Sequence, residues 1–173
     1  MSAVRIEIDD PARADVTALL QTHAAFALEE SPPDTCHFLD VAGLKTPDIT
    51  FWSARKDGAD ILGSVAPVLA TGFGLLLGVV ALKTLSDADG EVKSMHVAEA
   101  ARGQSAARAL MVHLIEQARQ KGLKKLWLET GNTQGFQAAV ALYAKLGFTH
   151  CPPFGCYQET DFNIFMMLDL SNA

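Results

Sequence analysis

The longest uncharged run of the chain, residues 61–82, limits its possible folds more than any other feature of the sequence. Its 22 residues are long enough for a membrane-spanning helix, so that possibility has to be weighed first. Pro67 and the glycines within the run disfavour such a helix, and the run does not have aromatic or basic anchors on both sides. The sequence therefore predicts that the run is buried in a soluble protein, with no membrane as partner.

The run also contains a short repeat. Residues 61–66 (ILGSVA) are echoed fifteen positions later by residues 76–81 (LLGVVA), so two alternative strands compete for one place in a sheet. We predict that the second copy is the strand and that an apolar insertion around 61–75 forms an added loop or hairpin arm. An exposed arm of this kind would be an unusually large apolar patch, so we expect it to pack under its own sheet or in a two-fold homodimer. The predicted contacts of the arm are Val65, Val68, Leu69 and Phe73.

Length, charge and cysteine content narrow the class of protein. The 173 residues fit a single domain spanning 1–173. Lys and Arg number 14 against 20 Asp and Glu, and the net charge of -6 disfavours nucleic acid as a partner. The three cysteines form neither a CxxC pair nor a disulfide framework, which predicts no metal site and a reducing, cytoplasmic location.

Periodicity of the apolar residues predicts the order of strands and helices. The strands are predicted at 4–8, 49–54, 76–81, 91–97, 123–130, 148–157 and 164–170. The helices are predicted from 11 to about 31 and at 34–45, 102–121 and 134–146, with Gly122 and Gly147 ending the last two. Strands on both sides of helices indicate one mixed sheet covered by helices.

The turn that follows the predicted strand 91–97 has the composition of an anion site. Residues 98–107 (AEAARGQSAA) are mostly small and lead into the start of a helix. Unpaired backbone N–H groups and the positive end of a helix attract phosphate, and small side chains allow close approach. The same composition also serves tight packing, and the segment is neither a P-loop nor a GxGxxG motif.

Residues 102–107 (RGQSAA) resemble motif A of the GNAT superfamily, [QR]-x-x-G-x-[GA], which binds the pyrophosphate of coenzyme A. Ser105 stands where that family usually has glycine, and Phe136 stands where many members have asparagine. Residues 142–148 (LYAKLGF) look like the LYxxxGF end of motif B, and residues 91–97 are similar to the family's fourth strand. The resemblance covers most of the chain and extends to a bacterial subgroup of small acetyltransferases. It implies an α/β (α+β) fold with a mixed, mostly antiparallel central sheet of about seven strands covered by about four helices.

The resemblance also implies a function. We expect acetyl-CoA as co-substrate and transfer of its acetyl group to a small-molecule acceptor, an amine or amino-acid-like compound, by direct attack in a ternary complex. The alternative is a GNAT domain that binds an acyl-CoA as a sensor without catalysis. The residues expected to bind the cofactor are Met95, Val97, Arg102, Gly103, Gln104, Ser105, Ala106, Ala107 and Tyr143.

Three residues are candidates for catalysis. Glu91 is similar in position to the glutamate base of histone-type members, although a solvated charge at a strand end is the alternative. Glu129 is a second candidate base, or else a hydrogen-bonding group of the following turn. Tyr143 resembles the tyrosine that protonates the departing thiolate, and a phenol with an ordinary pKa near ~10 is protonated at neutral pH. His96 and His113 are expected to be structural.

Overall fold

A computed structural model of the protein describes residues 4–32, 37–57, 70–71, 74–103 and 105–171. The strands are β1 Val4–Ile8, β2 Ile49–Lys56, β3 Ala70–Thr71, β4 Gly74–Thr84, β5 Asp89–Val97, β6 Lys125–Gly131, β7 Thr149–His150 and β8 Asn163–Asp169. The helices are α1 Ala14–Glu30, α2 Ala106–Gln120 and α3 Gln137–Lys145. Short 3-10 turns occur at Gly43–Lys45, Glu99–Ala101 and Gln134–Phe136.

The strands form one mixed sheet in the order β1-β2-β4-β5-β6-β8-β7, and β3 pairs with β4 outside this path. Among the described strand pairs, β5 and β6 are parallel and the others are antiparallel. The parallel pair follows from the connection between its strands, since β5 reaches β6 through α2. The predicted α/β fold with a mostly antiparallel sheet is therefore confirmed.

The prediction of a second helix over 34–45 is wrong for the part of it that the structure describes. Residues 37–45 contain only the 3-10 turn Gly43–Lys45. The Asp40 side chain accepts a hydrogen bond from the backbone N–H of Gly43 at 2.7 Å, which favours a local turn over a continuing helix. The described residues thus hold three α-helices instead of four.

The predicted strand over 148–157 is also too long. Only Thr149 and His150 pair with β8, opposite Met167 and Met166. The backbone N–H of Cys151 still donates to the carbonyl of Phe165 at 3.0 Å, but Pro152 and Pro153 follow and have no backbone N–H to continue the ladder. The rest of the segment forms a loop over the sheet.

The second copy of the apolar repeat lies within β4, as predicted, and its residues Leu76, Leu77, Val79, Val80 and Ala81 are buried. The first copy and the predicted contacts Val65, Val68, Leu69 and Phe73 fall in residues 58–69 and 72–73, outside the described residues. The arm and the homodimer therefore stay predictions. In the part of the chain that the structure describes, none of the helices has the length and hydropathy needed to cross a membrane.

The helices bury apolar faces against the strands at the centre of the sheet. α2 packs against β4, and α1 packs against β4 and β5. The buried face of α2 comprises Ala106, Leu110, Met111, Leu114, Ile115 and Ala118. This spacing places the side chains on one side of the helix, which explains why the pattern was readable from sequence.

A buried ionic cluster fastens α1 to β2. The Arg55 side chain is fully buried, and its guanidinium donates to Asp15 at 2.7 Å and to Asp9 at 2.8 Å. Ser53 donates to Asp9 at 2.5 Å. Burial acts to raise the pKa of Asp9, but the hydrogen bonds from Ser53 and Arg55 outweigh it and hold the pKa below its usual value. Asp9 therefore stabilises the fold above its ordinary pKa, and that contribution is lost as the pH falls through its lower folded-state pKa.

Replacing one acid of this cluster tests its role in stability. Asp15→Asn removes one of the two buried carboxylate charges that the Arg55 guanidinium contacts, the other being Asp9, so we expect the free energy of unfolding measured by urea titration to fall by about 3 kcal/mol. The matched control is Asp57→Asn, because Asp57 forms an exposed pair with Arg5 at 3.2 Å. That exchange should cost less than about 1 kcal/mol. Equal losses for the two variants would contradict the assignment.

Candidate active site

The sheet opens between its two parallel strands. β5 and β6 pair at three positions only, the last being Glu91 opposite Trp127. Beyond this point β5 stays with β4 as far as Val97, and β6 stays with β8 as far as Gly131. A cavity of about 720 Å³ lies at this opening, a volume typical of a site for a small ligand.

A bulge in β5 accompanies the opening. The register of β5 on β4 shifts between Val79 and Ala81, and Ser94 has a φ of 51°, which is left-handed backbone inside a strand. Bulges bend the strand that contains them and increase its twist. The bulge at Ser94 lies just beyond the last position at which β5 pairs with β6, where the two strands separate.

The start of α2 forms one end of the cavity. Arg102, Gly103, Ser105, Ala106 and Ala107 all line it, as the sequence led us to expect. The Ser105 side chain forms no capping hydrogen bond with α2, and backbone N–H groups in the first turn of a helix are suited to binding an anion. Gln104 lies outside the described residues.

Two backbone conformations shape this turn. Gly103 has a φ of 78° and Ser105 a φ of 60°, and Ser105 is the residue immediately before α2. Glycine adopts such angles freely, whereas serine is strained by its Cβ. Ser105 therefore occupies the conformation for which the motif usually has glycine.

Met95, Val97 and Tyr143 also line the cavity, on the strand and helix that flank the opening. Tyr143 is 6% exposed and packs against Phe148 with ring centroids 5.9 Å apart. Burial raises the pKa of the Tyr143 phenol well above its ordinary value. The hydroxyl is therefore protonated at any physiological pH.

The two candidate bases have different environments. Glu129 lines the cavity, and its carboxylate accepts a hydrogen bond from the Asn163 amide at 2.5 Å. Burial raises the pKa of Glu129, while the nearby charge of Lys93 and the Asn163 hydrogen bond oppose part of that increase. A carboxylate with a raised pKa is a stronger base than an exposed one.

Glu91 does not line the cavity. It is 4% exposed, and its carboxylate accepts hydrogen bonds from the Tyr157 hydroxyl at 2.5 Å and from Lys93 at 3.3 Å. Lys93 also donates to Tyr157 at 2.8 Å. Glu91 therefore belongs to a closed polar cluster beneath the loop 151–161, at the paired end of the opening.

Aromatic rings form part of the cavity wall. Phe136 contacts Phe26 of α1 at 5.2 Å and Phe162 at 5.9 Å between ring centroids. A Cβ on Gly131 would lie only 2.4 Å from Phe162, so a larger residue there would displace this wall. Phe136, which stands in place of the usual asparagine, is thus a packing residue of the wall.

A histidine pair completes the wall and escaped the sequence analysis. The Nδ1 atoms of His23 and His96 lie 3.2 Å apart, and both side chains line the cavity. The two residues are 73 positions apart, so no local pattern joins them. The available signal was the polar His23 on the otherwise apolar face of α1 that includes Val16, Leu20 and Ala27. His113, in contrast, lies against Trp52 away from the cavity.

Comparison with known proteins identifies the class. The sequence matches the Acetyltransferase (GNAT) family over residues 16–148. It is 35% identical over 165 residues to the uncharacterized N-acetyltransferase YedL of Escherichia coli, covering 95% of this chain and 94% of that protein. It is 33% identical over 166 residues to an IAA acetyltransferase of Azospirillum brasilense, covering 96% of this chain and 97% of that protein.

A similar fold occurs in a Salmonella typhimurium protein assigned to the acetyltransferases and solved with its cofactor acetyl-CoA. The TM-score is 0.66 at 19% identity, covering 99% of this chain and 96% of the other. The chain therefore belongs to the GNAT acetyltransferase family and is an acyltransferase, which confirms the resemblance found in its motifs.

Relief of the strain at Ser105 is a test of the turn before α2. Ser105→Gly removes the Cβ from a residue in a left-handed conformation. We therefore expect the free energy of unfolding measured by urea titration to rise by about 0.5–1 kcal/mol, after allowing for the greater conformational freedom of the unfolded chain. The control is Ala107→Gly in the first turn of α2, which should cost up to about 1 kcal/mol. A destabilised Ser105→Gly variant would contradict the left-handed conformation.

Proposed function

We propose that this protein is an acetyl-CoA-dependent N-acetyltransferase that acetylates a small amine or amino-acid-like acceptor by direct attack in a ternary complex. The observation that carries this proposal is the lining of the cavity. It combines the start of α2, the part of β5 beyond its pairing with β6, and a group of aromatic rings together with Glu129. One site thus offers a place for a phosphate group, an extended arm and an amine.

The cofactor would lie along β5. Backbone groups of Met95 and Val97 lie beyond the three positions paired with β6, so an extended pantetheine arm would pair with them as an added strand does. The pyrophosphate would then meet the backbone N–H groups of Gly103 and Ser105 and the start of α2. The same open edge of β5 supplies N–H donors for the oxyanion that forms on the thioester carbonyl.

Glu129 is the residue that we assign as general base. An ammonium has no lone pair for attack, so the acceptor must first transfer a proton to a base. Glu129 lines the cavity and its pKa is raised, whereas Glu91 does not line the cavity and its carboxylate already accepts hydrogen bonds from Tyr157 and Lys93. The neutral amine then forms the C–N bond and the thioester carbonyl becomes an oxyanion.

Collapse of that intermediate breaks the C–S bond and leaves a thiolate. Tyr143, protonated because burial raises its pKa, is assigned as the donor of a proton or a hydrogen bond to this sulfur. The intermediate's nitrogen loses its second proton, so the products are the amide, coenzyme A thiol and one released proton. One of the two protons lost by the nitrogen makes up for the proton that the thiolate takes, and the other is released to solvent.

The lining of the acceptor end favours an amine with an apolar body. Phe26, Phe136 and Phe162 provide apolar surface, and Glu129 provides a negative charge for an ammonium group. The free thiols Cys151 and Cys156 are consistent with a cytoplasmic location for the reaction.

A turnover assay tests the proposal directly. Wild-type protein with acetyl-CoA and a panel of primary amines should release coenzyme A thiol faster than the same mixture without protein, and calorimetry should show saturable acetyl-CoA binding. Binding without thiol release for any amine would favour the alternative, a non-catalytic acyl-CoA sensor. Ser105 and Phe136, which replace the residues that the family usually has, are the sequence features that favour this alternative. Failure to bind acetyl-CoA would contradict both functions.

The pH profile separates the two carboxylates. A base acts only when ionised, so kcat/KM falls as the pH falls through its pKa, and burial places that fall for Glu129 above the range of an ordinary glutamate. Glu129→Gln should lower kcat/KM by about 100-fold or more and remove this acidic limb. Glu91→Gln, the matched control, should keep the limb and shift it to lower pH, because the Glu91 charge helps raise the pKa of Glu129. Loss of the limb in Glu91→Gln alone would assign the base to Glu91.

The role of Tyr143 is tested by removing only its hydroxyl. Tyr143→Phe should lower kcat by about tenfold or more with little change in KM for acetyl-CoA, because the hydroxyl acts on the leaving thiolate. Tyr157→Phe is the control, since Tyr157 bonds to Glu91 outside the cavity lining. Unchanged kinetics in Tyr143→Phe would remove this residue from the mechanism.

A further inference from the structure

The pair formed by His23 and His96 has a geometry that none of the steps above uses. His23 belongs to α1 and His96 to β5, and their ring centroids lie 4.8 Å apart. The Nδ1 atoms face each other at hydrogen-bond distance, 3.2 Å, and both rings line the cavity.

The hydrogen bond between the two Nδ1 atoms requires that the two rings have opposite tautomers. Burial lowers the pKa of both histidines to about 4, and for His96 the neighbouring His23 and Arg102 act in the same direction. Both rings are therefore neutral at physiological pH. One neutral ring must then donate through Nδ1–H and carry a lone pair on Nε2, while the other accepts at Nδ1 and carries the proton on Nε2.

We propose that His23 and His96 form a proton relay that carries one of the two protons lost by the acceptor nitrogen out of the cavity. This inference rests on the proposed N-acetyltransferase function. The reaction requires such a path because the acceptor nitrogen loses two protons and Glu129 can accept only one of them. The other proton must leave a cavity that both substrates occupy.

The relay balances without placing a charge on either ring. The N–H bond of the acceptor breaks as its proton bonds to Nε2 of the ring that carries Nδ1–H. The Nδ1 proton of that ring moves across the 3.2 Å contact to Nδ1 of the second ring, which releases its own Nε2 proton to water. Both tautomers are inverted afterwards. Once the products have left and water has entered the cavity, the second ring takes a proton from water and the first ring releases its Nε2 proton to water, which restores both tautomers. A buried, uncharged pair suits a relay better than a base that stores the proton, because burial disfavours the imidazolium form.

A double-mutant cycle tests the relay, with 2-phenylethylamine as acceptor and thiol release as the readout. Both histidines must be present for a proton to pass, so His23→Gln and His96→Gln should each lower kcat by about tenfold or more, with KM for acetyl-CoA unchanged. The double variant should be no slower than the slower single variant. The matched control is His113→Gln, a partly buried histidine against Trp52 outside the cavity lining, which should keep wild-type kinetics.

Chemical rescue separates a relay from a structural contact. His96→Ala leaves space in the cavity wall, so added imidazole should restore part of the lost kcat, and thermal denaturation shows whether each variant is folded. Multiplicative losses in the double variant, wild-type rates in the single variants, or folded variants that imidazole does not rescue would each overturn the relay. A wild-type protein that acetylates no amine, 2-phenylethylamine included, would instead overturn the proposed function, and the relay with it.

Discussion

The separation of β5 from β6 after three paired positions is the constraint on which the rest of the site depends. A parallel pair that stayed closed would satisfy its own backbone groups and leave no edge for a ligand. The bulge at Ser94 lies where the two strands separate, and β4 continues to hold β5 as far as Val97. The candidate functional groups line the cavity at this gap: the start of α2, Tyr143, and the ring wall with Glu129.

The protonation states of the groups at this gap follow from their burial. Burial keeps the Tyr143 phenol protonated, raises the pKa of Glu129 and holds the histidine pair neutral. Each group is thereby left in the state that the proposed acetyl transfer to an amine needs. Glu91 shows the contrast, because hydrogen bonds from Tyr157 and Lys93 occupy its carboxylate just before the strands part. Glu91 pairs with Trp127, two residues before Glu129 on β6, and of the two carboxylates only Glu129 lines the cavity.

Sequence reasoning predicted the features that depend on local pattern. β1 and the buried face of α2 follow directly from alternating and helical periodicity, and the turn at 102–107 was recognisable from its small residues. It was wrong where a side chain favours another local structure. At Asp40, the hydrogen bond from the backbone N–H of Gly43 favours a turn in a segment where a helix was expected. It also missed the contact between His23 and His96, because only the packing of α1 on β5 brings these residues together. The choice between Glu91 and Glu129 as candidate base also depends on tertiary packing, because packing determines which of the two carboxylates lines the cavity.

The central claim is that the open edge of β5 receives the cofactor, and a crystal structure of the protein with acetyl-CoA tests it most directly. The account predicts that the pantetheine arm hydrogen-bonds the backbone of Met95 and Val97, that the pyrophosphate contacts the N–H groups at the start of α2, and that the acetyl group points toward Glu129. Acetyl-CoA bound at another surface, or β5 and β6 paired along their full length in the complex, would contradict it.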